Sequence, residues 1–242
     1  MRFALTGGSE KGPRLGLLET AHGAVETPAF MPVGTLAAVK GLPPDLVRGT
    51  GTRAILVNAF HLMLRPGVET VEALGGLHAF MRWDGTILTD SGGYQVFSLA
   101  DLREVGDDGV LFRSPVDGSE VRITPRSALE AQKRLGADIC MPLDQPVPYP
   151  SSREETERAA ARTLRWAEQS RAVSAELGLP AAFGIVQGGA FPDLRERCAR
   201  DLAALDFPGY AVGGVSVGKG PRSWTWRWRQ PRRPFPPTGP GI

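Results

Sequence analysis

Two carboxylates, an amide and several glycines stand at matching places in this chain, each directly after a short apolar run. Asp90 follows Thr86-Ile87-Leu88-Thr89, and Asp144 closes the run that begins Ala137-Asp138-Ile139-Cys140. Gln187 follows Phe183-Gly184-Ile185-Val186, Gly213-Gly214 follow Tyr210-Ala211-Val212, and Asn58 ends Ala54-Ile55-Leu56-Val57. Where strands lie parallel, the residues just past their C-terminal ends converge on one crevice. Carboxylates that accept N–H groups, an amide, and glycine backbone with nothing to shield it make a site for a flat, polar, hydrogen-bonding ligand such as a purine.

The residues themselves leave two readings open for each carboxylate. Asp90 heads Asp90-Ser91-Gly92-Gly93-Tyr94-Gln95, in which the glycines let backbone approach a ligand and Tyr94 offers a flat ring; equally, Asp90 and Ser91 suit the cap of a following helix. Asp144 precedes Gln145-Pro146-Val147-Pro148, which cannot continue as helix, so it is either a ligand acceptor at a loop mouth or a turn-stabilising Asx residue. Gln187-Gly188-Gly189 and Gly213-Gly214 are weak signals singly.

Other chemistries find little support. His22, His61 and His78 are not at metal-ligand spacing, and neither a Gly-x-Ser-x-Gly elbow nor a phosphate-loop lysine occurs. Cys140 and Cys198 make neither a disulfide framework nor a four-ligand zinc site, and read as buried thiols. No apolar run approaches the roughly 18 residues of a membrane span, and the N-terminus lacks a signal-peptide core, so the expectation is a cytoplasmic protein.

Positioning those residues requires a core. The 242 residues are 42% hydrophobic and 22% charged, ordinary values for a globular chain. Six near-continuous apolar runs, at 29–33, 54–58, 86–90, 137–144, 183–187 and 210–214, have the pattern of strands buried on both faces. Helical segments are predicted at 126–135, at 153–177 behind a Ser152/Glu155 capping box, and at 192–205 opened by a proline. Strand and helix in alternation predict a parallel α/β sheet. An Asp117-Gly118 pair between 109–114 and 119–124 predicts an inserted antiparallel hairpin. Six strands are two short of a closed eight-stranded barrel.

Longer strings carry a resemblance. Thr27-Pro28-Ala29-Phe30-Met31-Pro32-Val33-Gly34-Thr35, Asn58-Ala59-Phe60-His61-Leu62-Met63-Leu64-Arg65-Pro66-Gly67, Thr89-Asp90-Ser91-Gly92-Gly93-Tyr94-Gln95-Val96-Phe97, Phe183-Gly184-Ile185-Val186-Gln187-Gly188-Gly189 and 209–218 closely resemble tRNA-guanine transglycosylases of the bacterial type, across residues 1–218. The resemblance implies a TIM barrel with insertions, here incomplete. It also implies a pentosyltransferase that exchanges the wobble guanine of tRNA for a 7-deazaguanine precursor of queuosine, with the base taken out of the stack. It gives Asp90 the role of proton acceptor for the incoming base, and places Ser91, Gly92, Gly93 and the Tyr94 ring in the base pocket. It further assigns Asp144 to guanine N1–H and the amino group, and Gln187 and Gly214 to O6 and the ring edge. Adenine would set an acceptor where Asp144 needs a donor. A second carboxylate would attack the ribose carbon in a double displacement. The resemblance implies a homodimer and a zinc ion, and puts the zinc's Cys and His ligands and the nucleophile in sequence past Gly218, so no metal ligand is assigned here. Departures are Gln145-Pro146 where the family has Glu-Cys, Ala59-Phe60 for Thr-Tyr, and Lys219 for Glu.

Residues 219–242 look different from everything before them. They hold six basic residues, three tryptophans, six prolines and no acid, and leave the first 218 residues at net −4 although the whole chain is +2. One reading is an RNA-binding arm. The preferred reading is a shifted frame, since regrouping the permitted codons one base earlier restores Glu at 219 and a family-like continuation. On that reading the polypeptide as written is expected to be inactive. The alternative is a non-catalytic tRNA- or partner-binding relic of the same fold.

Overall fold

The computed structural model describes residues 1–8, 12–98 and 103–215; the basic segment 219–242 lies outside the described residues. Six short parallel strands follow one another in chain order: β4 (Val33–Gly34), β5 (Ala54–Val57), β6 (Thr86–Thr89), β10 (Ile139–Cys140), β11 (Phe183–Val186) and β12 (Gly209–Val212). β4, β5, β6 and β10 form one ladder, β11 and β12 a second, and a parallel bridge between Cys140 and Ala182 joins them. The central strands are buried at every position because helices cover one side and neighbouring side chains fill the other.

The predicted strands are there, with two shortened. Of 29–33 only Val33 lies in the strand, which runs on to Gly34, with the Pro32 carbonyl accepting from Leu56 N–H just before it; Phe30 is 83% exposed. Of 137–144, the ladder keeps Ile139–Cys140; Met141 N–H still reaches Thr89 O at 3.2 Å but shares itself with Gln132 Oε1 at 2.8 Å, and Gln132 Nε2 donates to the Met141 carbonyl at 2.9 Å. Pro142 then offers no donor.

The helices keep their predicted places: α6 (Pro125–Leu135), α7 (Arg153–Leu177) and α8 (Pro192–Ala203), the last two residues shorter than expected. Ser152 caps α7 by accepting from Glu155 N–H at 3.1 Å, but the reciprocal half of the expected box is missing, since Glu155 accepts from the Ser151 hydroxyl instead. A complete box sits at α6, between Thr124 and Ser127. Four short helices fill the crossovers before β6: α1 (Pro44–Gly49), α2 (Ala59–Leu64), α3 (Val68–Ala73) and α4 (Gly76–Met81).

Two antiparallel sheets flank the parallel strands. The predicted hairpin is β8 (Gly109–Arg113) with β9 (Glu120–Ile123), and a third strand, β7 (Arg103–Gly106), pairs with β8. The other, β1 (Arg2–Gly8), β2 (Arg14–Thr20) and β3 (Gly23–Thr27), was not foreseen. Leu18 and Val25 fix it to the core beside Leu88, Ile139 and Phe183. Phe112 of the inserted sheet packs on Phe60 of α2, ring centroids 5.3 Å apart.

Candidate active site

The predicted polar residues come together past the C-terminal ends of β5, β6, β10, β11 and β12. Asp144 is the centre. Gln187 Nε2 donates to Asp144 Oδ2 at 2.7 Å, and Ser91 also hydrogen-bonds the carboxylate. A Cβ on Gly93 would lie 2.5 Å from Asp144 Oδ1 and 2.7 Å from its carbonyl oxygen, so only glycine lets the Asp90 loop come this near. A Cβ on Gly213 would stand 2.4 Å from Gln187 Nε2, and one on Gly214, at φ +65°, 2.8 Å from Oε1. Gln187 Oε1 is buried without a hydrogen-bond partner. Tyr94, on the first turn of α5 (Gly93–Ser98), is exposed at the rim.

Asp90 is held differently. Its Oδ1 accepts from Ala59 N–H at 3.0 Å, and its Oδ2 from the Asn58 amide and from Gln95 Nε2 at 3.1 Å. The capping reading is thus met at two helices: Asp90 accepts from the first N–H of α2 and also from Gly92 N–H, and Ser91 Oγ accepts from Gly93 N–H at 3.3 Å where α5 begins. Burial pushes the Asp90 carboxyl above the usual range against these hydrogen bonds. Burial also raises Asp144, to about 6; Gln187 and Ser91 oppose the shift and the nearby Asp90 charge adds to it. At neutral pH Asp144 is therefore ionised, while a modest fall in pH protonates it.

Asn58 and Gln95, which orient Asp90, were visible in the motif strings; Arg195 and Cys198 of α8, which touch the loops after β11 and β12, were not. Arg195 Nε donates to Gly189 O at 2.7 Å and Nη2 to Gly213 O at 3.0 Å, and Gln187 N–H points at Cys198 Sγ, 3.4 Å away. An arginine on a mostly polar helix gives no sequence signal of which loop it reaches.

At the opposite end of the strands the structure joins two histidines that their spacing kept apart. His22 Nδ1 lies 2.8 Å from Asp138 Oδ1, His78 Nε2 3.4 Å from Oδ2, and Ile87 N–H donates to Oδ2 at 2.9 Å. The three ligand atoms are within 4.8 Å of one another. The imidazoles, however, stack at 3.5 Å with planes 18° apart. Nitrogen lone pairs lie in the ring plane, so these rings share no point where one ion could meet both. His22 and His78 instead supply polar partners to the buried Asp138 carboxylate.

A family model described as Queuine tRNA-ribosyltransferase matches residues 9–229. The chain belongs to the queuine tRNA-ribosyltransferase family. A Queuine tRNA-ribosyltransferase of Pelotomaculum thermopropionicum is 59% identical over 210 residues, covering 86% of this chain and 56% of that protein. Proteins of the same name from Gloeobacter violaceus, 56% identical over 207 residues, and Geobacillus kaustophilus, 52% over 210, are covered to 54% and 55% of their lengths. The chain thus spans about half the length of the curated relatives it matches, and the family match runs past Gly218 into the basic segment.

The zinc that the family resemblance implies does not fit the cysteines present. Cys140 and Cys198 lie in separate core clusters, and burial pushes the Cys140 thiol up to about 12, far from the thiolate a zinc site requires. Among the described residues no helix is long and apolar enough to cross a membrane.

Proposed function

We propose that this member of the queuine tRNA-ribosyltransferase family recognises guanine at the Asp90–Asp144 crevice, as the base-binding part of a tRNA-guanine transglycosylase. The observation that carries the reading is the Asp144 carboxylate hydrogen-bonded by the Gln187 amide, which in turn lies against the Gly213-Gly214 backbone. Asp144 accepts N1–H and the 2-amino group. Its four lone-pair sites leave room for this while Gln187 stays attached. Gln187 and Gly214 face O6 and the ring edge, and Tyr94 covers the flat side. Asp90, oriented by Asn58, Gln95 and Ala59 N–H, holds the proton that the incoming 7-deazaguanine base gives up.

On this reading the six parallel strands belong to a TIM barrel, the substrate is tRNA with its wobble guanine flipped out, and the work is done in the cytoplasm. The exchange proceeds by double displacement at the ribose carbon. The attacking carboxylate is not assigned to any residue of this chain, and no step is routed through zinc.

The test is calorimetric titration of the 242-residue chain with guanine and adenine. Saturable binding of guanine and none of adenine is expected, and Asp144→Asn is expected to weaken guanine about 100-fold, the worth of two hydrogen bonds to a charge. Equal affinity of wild type and Asp144→Asn would overturn the reading.

A further inference from the structure

Helix α8 carries two polar contacts into the site from behind. Arg195 and Cys198 are three residues apart and share a face. Cys198 Sγ receives Gln187 N–H, and Arg195 spans the two strand-end loops by donating to Gly189 O and Gly213 O. The second contact matters most. The Gly213 carbonyl and the Gly214 N–H are the two ends of one peptide unit. In a trans peptide they point in opposite directions, so a guanidinium that pins the oxygen turns the N–H to the far side. A cation on the oxygen also polarises the unit and makes its N–H a stronger donor.

The glycines at this place give the peptide freedom that Arg195 removes. Neither residue 213 nor 214 tolerates a Cβ, because Gln187 stands within 2.8 Å of both positions, and Gly214 sits in the left-handed region. Glycine backbone rotates readily between conformers, and rotation of this peptide by half a turn would present a carbonyl acceptor to the crevice in place of a donor. We propose that Arg195 is a positioning residue for base specificity: it locks the Gly213–Gly214 peptide with its N–H toward the bound base, so that the site selects a ring with a strong acceptor at position 6. This rests on the guanine reading above for its ligand, but the peptide lock itself is a property of the free protein.

The experiment therefore has two arms. In the first, ¹⁵N-labelled chain without ligand is compared with Arg195→Lys and Arg195→Met, the latter keeping the apolar stem and losing every donor. Loss of the charge on Gly213 O is expected to move the Gly214 amide nitrogen resonance upfield and speed its hydrogen exchange, with Lys intermediate and the strand β5 and β6 amides unmoved. An unchanged Gly214 resonance in Arg195→Met overturns the lock. If the variant is globally loosened, the β5 and β6 amides shift as well, which separates misfolding from the local effect; a Gly214 change no larger than theirs also overturns it.

The second arm compares guanine with 6-thioguanine, which keeps N1–H and the amino group but replaces O6 by a weakly accepting sulfur. Wild type is expected to prefer guanine, and Arg195→Met to reduce that preference about tenfold, the worth of one charge-strengthened hydrogen bond. Equal loss of affinity for both bases would make Arg195 merely structural and overturn the proposal. Failure of wild type to bind either base would remove the guanine reading, while the first arm still decides the lock.

Discussion

Asp144 is a residue whose ionisation opposes folding and, on the proposed guanine reading, serves binding. Its carboxyl is raised by burial to about 6, above the roughly 3.9 of an unfolded aspartate, so the native state holds the proton more tightly. Stability therefore falls as pH rises between those two values, and the full penalty remains above pH 6. Replacing the charge by an amide is expected to stabilise the fold by on the order of 2 kcal/mol at pH 7, read as a higher Tm for Asp144→Asn. The same substitution is expected to remove most guanine affinity. Binding has its own pH signature: below pH 6 the protonated acid no longer accepts N1–H, and guanine affinity measured by titration is expected to decline about tenfold per further pH unit. A flat profile from pH 7 to 5 would exclude Asp144 as the ligand's acceptor.

At the scale of the element, the strand-end loops are shaped by what glycine omits. Gly93→Ala drives a methyl into Asp144, and a loss of about 1–3 kcal/mol is expected by chemical denaturation, together with weaker base binding. Gly49, at the end of α1 with open space around its Cβ position, is the control: Gly49→Ala is expected to be neutral or stabilising by up to about 1 kcal/mol. The other strand ends are tied by Asp138. Burial works against its charge, but His78, His22 and Ile87 N–H outweigh it and hold the carboxyl below the usual range. That contribution is present above the unfolded value near 3.9 and is lost as pH falls through the lower folded value. Asp138→Ala is expected to cost about 3 kcal/mol, because Ile87 N–H and His22 Nδ1 lose their partner and His78 keeps only the Gly85 carbonyl. These elements differed in how well the sequence announced them. Ser152 and the long amphipathic run gave α7 to the residue, whereas β1–β3, glycine-rich and mostly exposed, lack the apolar pattern that betrayed the parallel strands.

For the molecule as a whole, the run of parallel strands has one thin seam. β5 and β6 share four paired positions, but β10 meets β11 through the Cys140–Ala182 bridge. Native-state hydrogen exchange is expected to show Ile55, Leu56, Ile87 and Leu88 as the slowest amides, with β11 and β12 opening as a separate unit. The crevice was legible because strand ends gather polar residues whatever the helices do, so Asp90, Asp144, Gln187 and Gly214 could be named from spacing. What brings His22 to His78, or Arg195 to Gly213, depends on how helices and turns dock, and docking leaves no period in a sequence.

The inserted sheet reaches further than its place on the periphery suggests. A Cβ on Gly92 would lie 2.8 Å from Phe60 Cβ, and Phe60 in turn leans on Phe112 of β8, so the loop that bears Asp90 rests on an aromatic prop rooted in the insertion. An engineer who trims residues 103–123 to obtain a minimal scaffold thus takes away a foundation rather than an ornament. Any transplant of this crevice to another α/β scaffold has to carry the prop along or build a replacement of the same height.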